Sequence, residues 1–287
     1  MRNMRLLLSA MGIFCFISCF NTTNEGVKWR QLFNGKDLNN WVIKIKDAPL
    51  NENFGNVFRV EDGKLIVSYD NYQNFEERYG HIFYNEVFSS YLLAVEYRFT
   101  GDQVTGGPGW AFRNSGVMLH SQSPETMLLE QDFPVSLEAQ FLGGNGKDER
   151  TTGNLCTPGT NVYLKGELFT PHCVNSDSKT YHGDQWVRAE VLVIKDSVIK
   201  HIIESDTVLT YSSPQYDGND QWVKKLNLPP DAAITKGYIA LQSESHPIEY
   251  RKVEIIDLSA MENNNQKLEN FLQKIQRSKF QPKAGKK

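Results

Sequence analysis

The chain has 287 residues, 40% of them hydrophobic and 23% charged, with 21 Gly, 11 Pro and a net charge of −3. This composition excludes disorder, collagen and coiled coil and supplies enough apolar side chain for a real core. Taking away the +2 of residues 1–18 and the +5 of residues 259–287 leaves −10 on residues 19–258, and a body that acidic repels phosphate backbones, which argues against nucleic acid as a partner.

Residues 1–18 join Arg2 and Arg5 to an apolar run too short to span a bilayer, the pattern of an export signal. The run ends in Phe16-Ile17-Ser18-Cys19, which resembles a bacterial lipobox. Cys19 is therefore the expected lipidated N-terminus, residues 19–28 a tether, and the membrane a partner through the lipid. The expected location is the periplasm or the outer membrane.

From Trp29 to Leu258 apolar and polar residues alternate in short runs punctuated by Gly, Pro, Asn and Asp. The period of two predicts strands at 64–69, 91–99, 115–120, 135–142, 186–194, 198–204, 238–242 and 248–258, with no ten-residue amphipathic helix among them. Many short strands with turn signals predict an all-β sandwich or jelly roll, two antiparallel sheets packed face to face. Residues 102–110 (DQVTGGPGW), 143–160 and 170–184 are far longer than hairpin turns, and such loops on a rigid sandwich usually carry function. Residues 259–287 change character: Leu268, Phe271, Leu272 and Ile275 fall at helical spacing before a run of lysines. A short helix docked on the sandwich is the favoured reading, ahead of contact with anionic lipid or a neighbouring protein.

Of the four cysteines, Cys15 lies in the apolar run and Cys19 at the lipidation site, leaving Cys156 and Cys173. In an oxidising compartment these two are expected to pair, closing a loop of about 17 residues worth roughly 3 kcal/mol. The alternative is a reactive thiol or metal ligand beside His172, although a lone His-Cys pair lacks zinc spacing.

Three segments carry candidate chemistry. In the first, residues 113–120, alternation puts Gly116, Met118 and His120 on one strand face. The glycine permits close approach of a ligand, and the imidazole can move a proton, bind metal or simply satisfy the strand. In the second, Glu138 and Gln140 share the face opposite Leu137, Ala139 and Phe141. Glycosidases use two carboxylates, about 5–5.5 Å apart for retention or about 6.5–9.5 Å for inversion. The alternating position here is an amide, which disfavours that chemistry. The third segment places Gln242 at a strand end, then Glu244 and His246 in a turn, as proton carriers or as bonds to the turn backbone. No Walker loop, dinucleotide fingerprint, His-Glu-x-x-His or Gly-x-Ser-x-Gly elbow is present.

Leu32-Phe33-Asn34-Gly35-Lys36-Asp37-Leu38 with Trp41, Asn114-Ser115-Gly116, Glu138-Ala139-Gln140, Asp184-Gln185-Trp186 and Gly237-Tyr238-Ile239-Ala240-Leu241-Gln242 through Tyr250-Arg251 occur in that order. Together they resemble the 3-keto-disaccharide hydrolase domain family over residues 29–258. The resemblance implies a concanavalin A-like jelly-roll β-sandwich and a carbohydrate substrate, a glycoside whose C3 hydroxyl has been oxidised to a ketone. Many relatives have Asp-His-Gly after the strand-ending Gln, where this chain has Ser243-Glu244-Ser245-His246.

A C3 ketone acidifies the C2 proton, so a base can remove it, the C1 oxygen can leave by elimination, and water can add afterwards. One base, one acid and an enolate stabiliser then suffice. On this reading His120 or His246 is the base, Glu138 the second acid or base, and Arg113 the stabiliser. A divalent metal cation held by His120, Glu138 and His246 is the alternative stabiliser. Asn114, Gln140, Gln242 and Glu244 would orient sugar hydroxyls, and Trp110 would stack on a ring. The competing expectations are a lectin-like module that binds a glycan without breaking it, and a structural surface lipoprotein.

Overall fold

The computed structural model describes residues 28–279, so the export signal, Cys19 and nearly all of the tether lie outside the described residues. Seventeen strands run in chain order. The first six are β1 (Arg30–Gln31), β2 (Trp41–Ile45), β3 (Phe58–Glu61), β4 (Lys64–Val67), β5 (Gly80–Phe88) and β6 (Ser90–Phe99). The next six are β7 (Asn114–Ser121), β8 (Leu137–Leu142), β9 (Asn154–Cys156), β10 (Thr160–Leu164), β11 (Glu167–Phe169) and β12 (Cys173–Val174). The last five are β13 (Val187–Ile194), β14 (Val198–Ile203), β15 (Asp206–Tyr216), β16 (Gly237–Ser243) and β17 (Ile248–Asp257). A one-turn helix α1 (Gln221–Lys225) precedes β16, and α2 (Asn265–Lys279) follows β17.

The strands form two antiparallel sheets, the all-β sandwich expected of the alternation. One has the order β11-β10-β15-β14-β13-β6-β17-β4-β3, with β1 on β17; the other has the order β12-β9-β8-β7-β16-β5-β2. Their facing side chains make one core, with Val95, Tyr97, Val191, Val193, Val253 and Ile255 against Val117, Leu137, Phe141, Ile239 and Leu241. Tyr97 stacks on Phe141 at 4.2 Å and 8° between planes, joining the two layers. Alternation along each strand produces this directly, because every second side chain points the same way.

The eight predicted strands appear within two residues of their predicted ends. Alternation did not predict β5, the strand between β16 and β2, and the cause is physical. Polar and apolar residues are mixed on both faces of this strand: His81 is wholly buried, Glu86 shares the face of buried Phe88, and Val87 is exposed beside Asn85, so no period of two is written in the run. Among the described residues no helix is long and apolar enough to cross a membrane. Helix α2 lies on the outside of the larger sheet, with Leu268 and Ile275 buried against Leu92, Leu192, Ile194, Ile256 and Leu258.

The end of β7 is irregular. His120 has φ +48°, and the β16–β7 register shifts between Tyr238 and Ala240. Gly237 packs against this bulge, where an added Cβ would lie 2.6 Å from His120 Cα and closer still to its carbonyl carbon. Backbone cannot yield as a flexible side chain can. Gly237→Ala is therefore expected to destabilise the protein by roughly 2–4 kcal/mol, seen as a lower urea midpoint with an unchanged slope.

Candidate active site

The smaller sheet carries an unusual outward face. Cross-strand register sets Lys44 beside His81 and His81 beside Gln242, and farther across the sheet sets Gly116 beside Gln140 and Gln140 beside Asn154. The adjoining row is apolar: Val42, Phe83, Ala240 and Met118 lead to Glu138, which is followed by Cys156 and Cys173. Loops cover both rows. Lys44 Nζ donates to the carbonyls of Ile45, Ala48 and Leu129 at 2.9, 3.0 and 3.2 Å, tying the segment after β7 down onto the sheet. His81 and Gln242 are wholly buried beneath this cover.

Over this face lies a cavity of about 500 Å³ lined by Trp110, Asn114, Phe133, Glu138, Gln140, Leu142, Arg150, Pro158, His172, Glu244 and the Cys156–Cys173 pair. The size suits a small organic ligand. Its walls combine aromatic and aliphatic surface with a few converging polar groups. Trp110, 54% exposed, stands at the rim and stacks on Tyr79 at 6.1 Å and 16°.

Glu138 and Glu244 are the chemical centre of the cavity. Both are buried, and Glu138 Oε1 and Glu244 Oε2 have no protein partner. Burial pushes the Glu138 carboxyl up to about 8. Burial, and then the neighbouring Glu138, push Glu244 well above the ordinary carboxylate range. Two carboxyls in one desolvated space cannot both ionise near neutrality, so the pair retains a proton.

Glycine makes the meeting possible. A Cβ on Gly116 would lie 2.7 Å from Glu138 Cγ and closer still to Oε1, so the Glu138 side chain crosses the space a larger residue would fill. Glu244 follows β16 in a buried turn held from outside. Its neighbour Ser245 receives Gln103 Nε2 on Oγ at 2.8 Å and Val104 N–H on its carbonyl at 3.0 Å. The 102–110 loop thus fixes the turn that presents the second carboxyl.

Several residues singled out from the sequence line this cavity: Trp110, Asn114, Glu138, Gln140 and Glu244. Asn114 Oδ1 and both ends of the Gln242 amide are buried without a protein partner, whereas Gln140 Oε1 accepts from Asn154 Nδ2 at 3.0 Å. Gln242 is not among the lining residues and belongs to the layer beneath.

The other expected site residues are placed elsewhere. His120 does not share the cavity; its Nε2 meets the Lys195 carbonyl at 3.0 Å and its ring sits edge-on to Tyr91 at 6.3 Å, because the positive φ breaks the alternation. His246 is enclosed between Phe99 and Phe112 at 5.8 and 5.1 Å. Burial, with Arg113 second, lowers its pKa to about 4. Arg113 also turns away, donating to the Gly183 carbonyl at 2.6 Å and Asp184 at 2.8 Å.

The cation lining the cavity is instead Arg150, anchored by Nη2 to the Phe112 carbonyl at 2.5 Å. His120, Glu138 and His246 therefore form no donor set for a divalent cation. Among the described residues, the one group of three or more His, Cys, Asp or Glu ligand atoms within 4.8 Å of one another is Cys156, His172 and Cys173. Two of these are joined as the expected disulfide between paired positions of β9 and β12.

Sequence alone did not reveal the meeting of Glu138 with Glu244 or the parts played by Arg150 and His172 as cavity lining. Counting along β8 reaches only Gln140, whereas the second carboxyl arrives from β16 across the sheet. Arg150 and His172 sit in long loops, where spacing carries no direction.

Residues 28–256 match the model of the 3-keto-alpha-glucoside-1,2-lyase-like domain. Solved structures that align with the chain include a "putative glycosyl hydrolase" from Parabacteroides distasonis, 19% identical, covering 80% of this chain and 94% of that one at a TM-score of 0.49. A Bacillus subtilis protein of unknown function with a galectin-like fold is 14% identical, covering 79% and 97% at 0.47. The exoplasmic domain of VIP36 with bound Ca²⁺ and Man3GlcNAc is 8% identical, covering 80% and 90% at 0.46. No curated protein gives a significant match.

Proposed function

Because the chain belongs to the 3-keto-alpha-glucoside-1,2-lyase-like domain family, we propose that it cleaves glycosides whose sugar carries a C3 ketone, by proton abstraction at C2, elimination at C1 and addition of water. The observation that carries this reading is the Glu138–Glu244 pair, a proton-retaining dyad in a largely apolar cavity. A carboxyl that stays protonated near neutrality can give its proton to the departing glycosidic oxygen. Glu138 takes that part. Asn114 and Gln140 hold sugar hydroxyls, Arg150 faces the oxygen on which enolate charge develops, and Trp110 covers the ring from the rim. A divalent cation forms no part of this proposal, since its three suggested ligands are dispersed.

The protein is further proposed to be exported and anchored through Cys19. The Cys156–Cys173 disulfide supports this, being suited to an oxidising compartment.

The test is sugar release by the full chain from a 3-keto-glucoside and from its unoxidised parent. Cleavage of the keto substrate alone is the expected result. Binding of both without cleavage would return the protein to the lectin class. Trp110→Ala is expected to raise KM several-fold with kcat and thermal stability nearly unchanged, because an exposed ring contributes binding surface but little core; steady-state kinetics and a melting curve check both halves.

A further inference from the structure

The elimination needs a base for the C2 proton, and neither histidine expected to serve lies in the cavity. The chain has six histidines, and five have other surroundings. His120 meets the Lys195 carbonyl, His201 the Gly153 carbonyl and Tyr211 hydroxyl, and His182 the Gly146 N–H. His246 sits between two phenylalanines, and His81 is wholly buried against Phe83 and Phe133. The sixth, His172, lines the 500 Å³ cavity and also an adjoining one of about 270 Å³, the two sharing Phe133, Pro158 and His172.

We propose that His172 is the base that removes the C2 proton, at the junction of a cavity holding the oxidised sugar and a second one receiving the leaving group. This rests on the function proposed above and supplies its missing participant. The position is built rather than incidental. The His172 carbonyl accepts from Thr157 N–H at 2.9 Å and from Thr157 Oγ1 at 3.2 Å. The next residue, Cys173, is bonded to Cys156, the cross-strand partner of Glu138. Acid and base are thereby attached to the two strands that flank β9, Glu138 on β8 and His172 immediately before β12. His172 is exposed where the two cavities meet, so its ring is open to both, and its partial desolvation outweighs the opposing pull of Asp220 and lowers its pKa.

The step balances. The C2–H bond breaks, its proton going to His172 and its electron pair into the enolate of the C3 ketone. The enolate collapses to a C1–C2 double bond as the C1–O bond breaks, and the leaving oxygen takes the proton of Glu138. Water then adds its hydroxyl to C1 and returns a proton to Glu138, while C2 recovers one from His172. The net change is hydrolysis.

The experiment follows hydrogen exchange at C2 of a 3-keto-glucoside in D₂O alongside sugar release, using the full chain. Wild type is expected to do both. Glu138→Gln should retain exchange and lose release. His172→Gln should lose exchange and release together by roughly 100-fold or more, with KM within a few-fold and partial recovery on adding imidazole to His172→Ala. His172→Asn supplies the same readout should the Gln variant not fold. Exchange by His172→Gln within a few-fold of wild type would overturn the assignment. A wild type that cleaves with neither C2 exchange nor a C2 deuterium isotope effect would overturn proton abstraction itself. A wild type that leaves keto sugars untouched would overturn the parent reading, an outcome distinct from both.

Discussion

Glu138→Gln is expected to reduce release of sugar from a 3-keto-glucoside by roughly 10²–10⁴-fold, the usual contribution of a positioned acid, while making the protein more stable at pH 8. Both effects have one cause. In the folded chain burial raises the Glu138 pKa from 4.5 to about 8. Well below pH 4.5 both folded and unfolded states hold the proton, and the group adds no pH-dependent cost. Between 4.5 and 8 the unfolded chain releases the proton and the folded chain keeps it, so stability falls as pH rises; above 8 the loss is complete.

An amide of the same shape never ionises. The gain in stability of Glu138→Gln over wild type should accordingly grow through this window and reach roughly 1–3 kcal/mol at pH 8. Denaturant titrations of both proteins at pH 5 and pH 8 test this, and an equal difference at the two values would contradict it. Wild-type kcat/KM should fall above about pH 8 as the acid is lost. Such a trade of stability for chemistry is common where a site keeps an ionisable group out of water.

Removing the Cys156–Cys173 disulfide has a large expected effect on folding. The two cysteines are 17 residues apart, and releasing a loop of that size from its constraint frees the unfolded chain by about 3 kcal/mol. For a chain of this length that corresponds to a fall in Tm of roughly 6–12 °C. The double variant Cys156→Ala with Cys173→Ala should show it in a thermal melt, and wild type under reductant should show the same shift. Strand β12 has only two residues and pairs only with β9, so the cavity wall it forms depends heavily on the covalent link. KM for a keto-glycoside should rise with the loss of stability, whereas a melt unchanged by reductant would show that the wall stands without the bond.

Legibility in the sequence varies by element. The strands around Tyr91, Leu137 and Val191 could be read because their polar residues keep to one face, Glu96 and Arg98 in the first, Glu138 and Gln140 in the second, Arg188 and Glu190 in the third, even where both faces are largely buried. The split of β8 into a core face with Leu137, Ala139 and Phe141 and a site face with Glu138 and Gln140 follows from the same geometry. Strand β5 escaped detection because its polar residues keep to neither face, with His81 wholly buried and Val87 exposed beside Asn85. Alternation assigns His120 to the wrong face because one residue with positive φ reverses every expectation drawn from a period of two, and a histidine carries no mark of such a bulge.

Composition and local order alone determined an all-β sandwich, an acidic body, the family resemblance and the candidacy of Glu138. Tertiary structure decided which groups share space. It brought Glu244 from the turn after β16 to the Glu138 of β8, put Arg150 where Arg113 was expected, and set His172 beside the disulfide on the cavity wall. The reason lies in the range of the forces involved. Side-chain direction within a strand is a property of neighbouring residues, whereas a perturbed carboxyl pair is a property of two strands and the loops that exclude water from them.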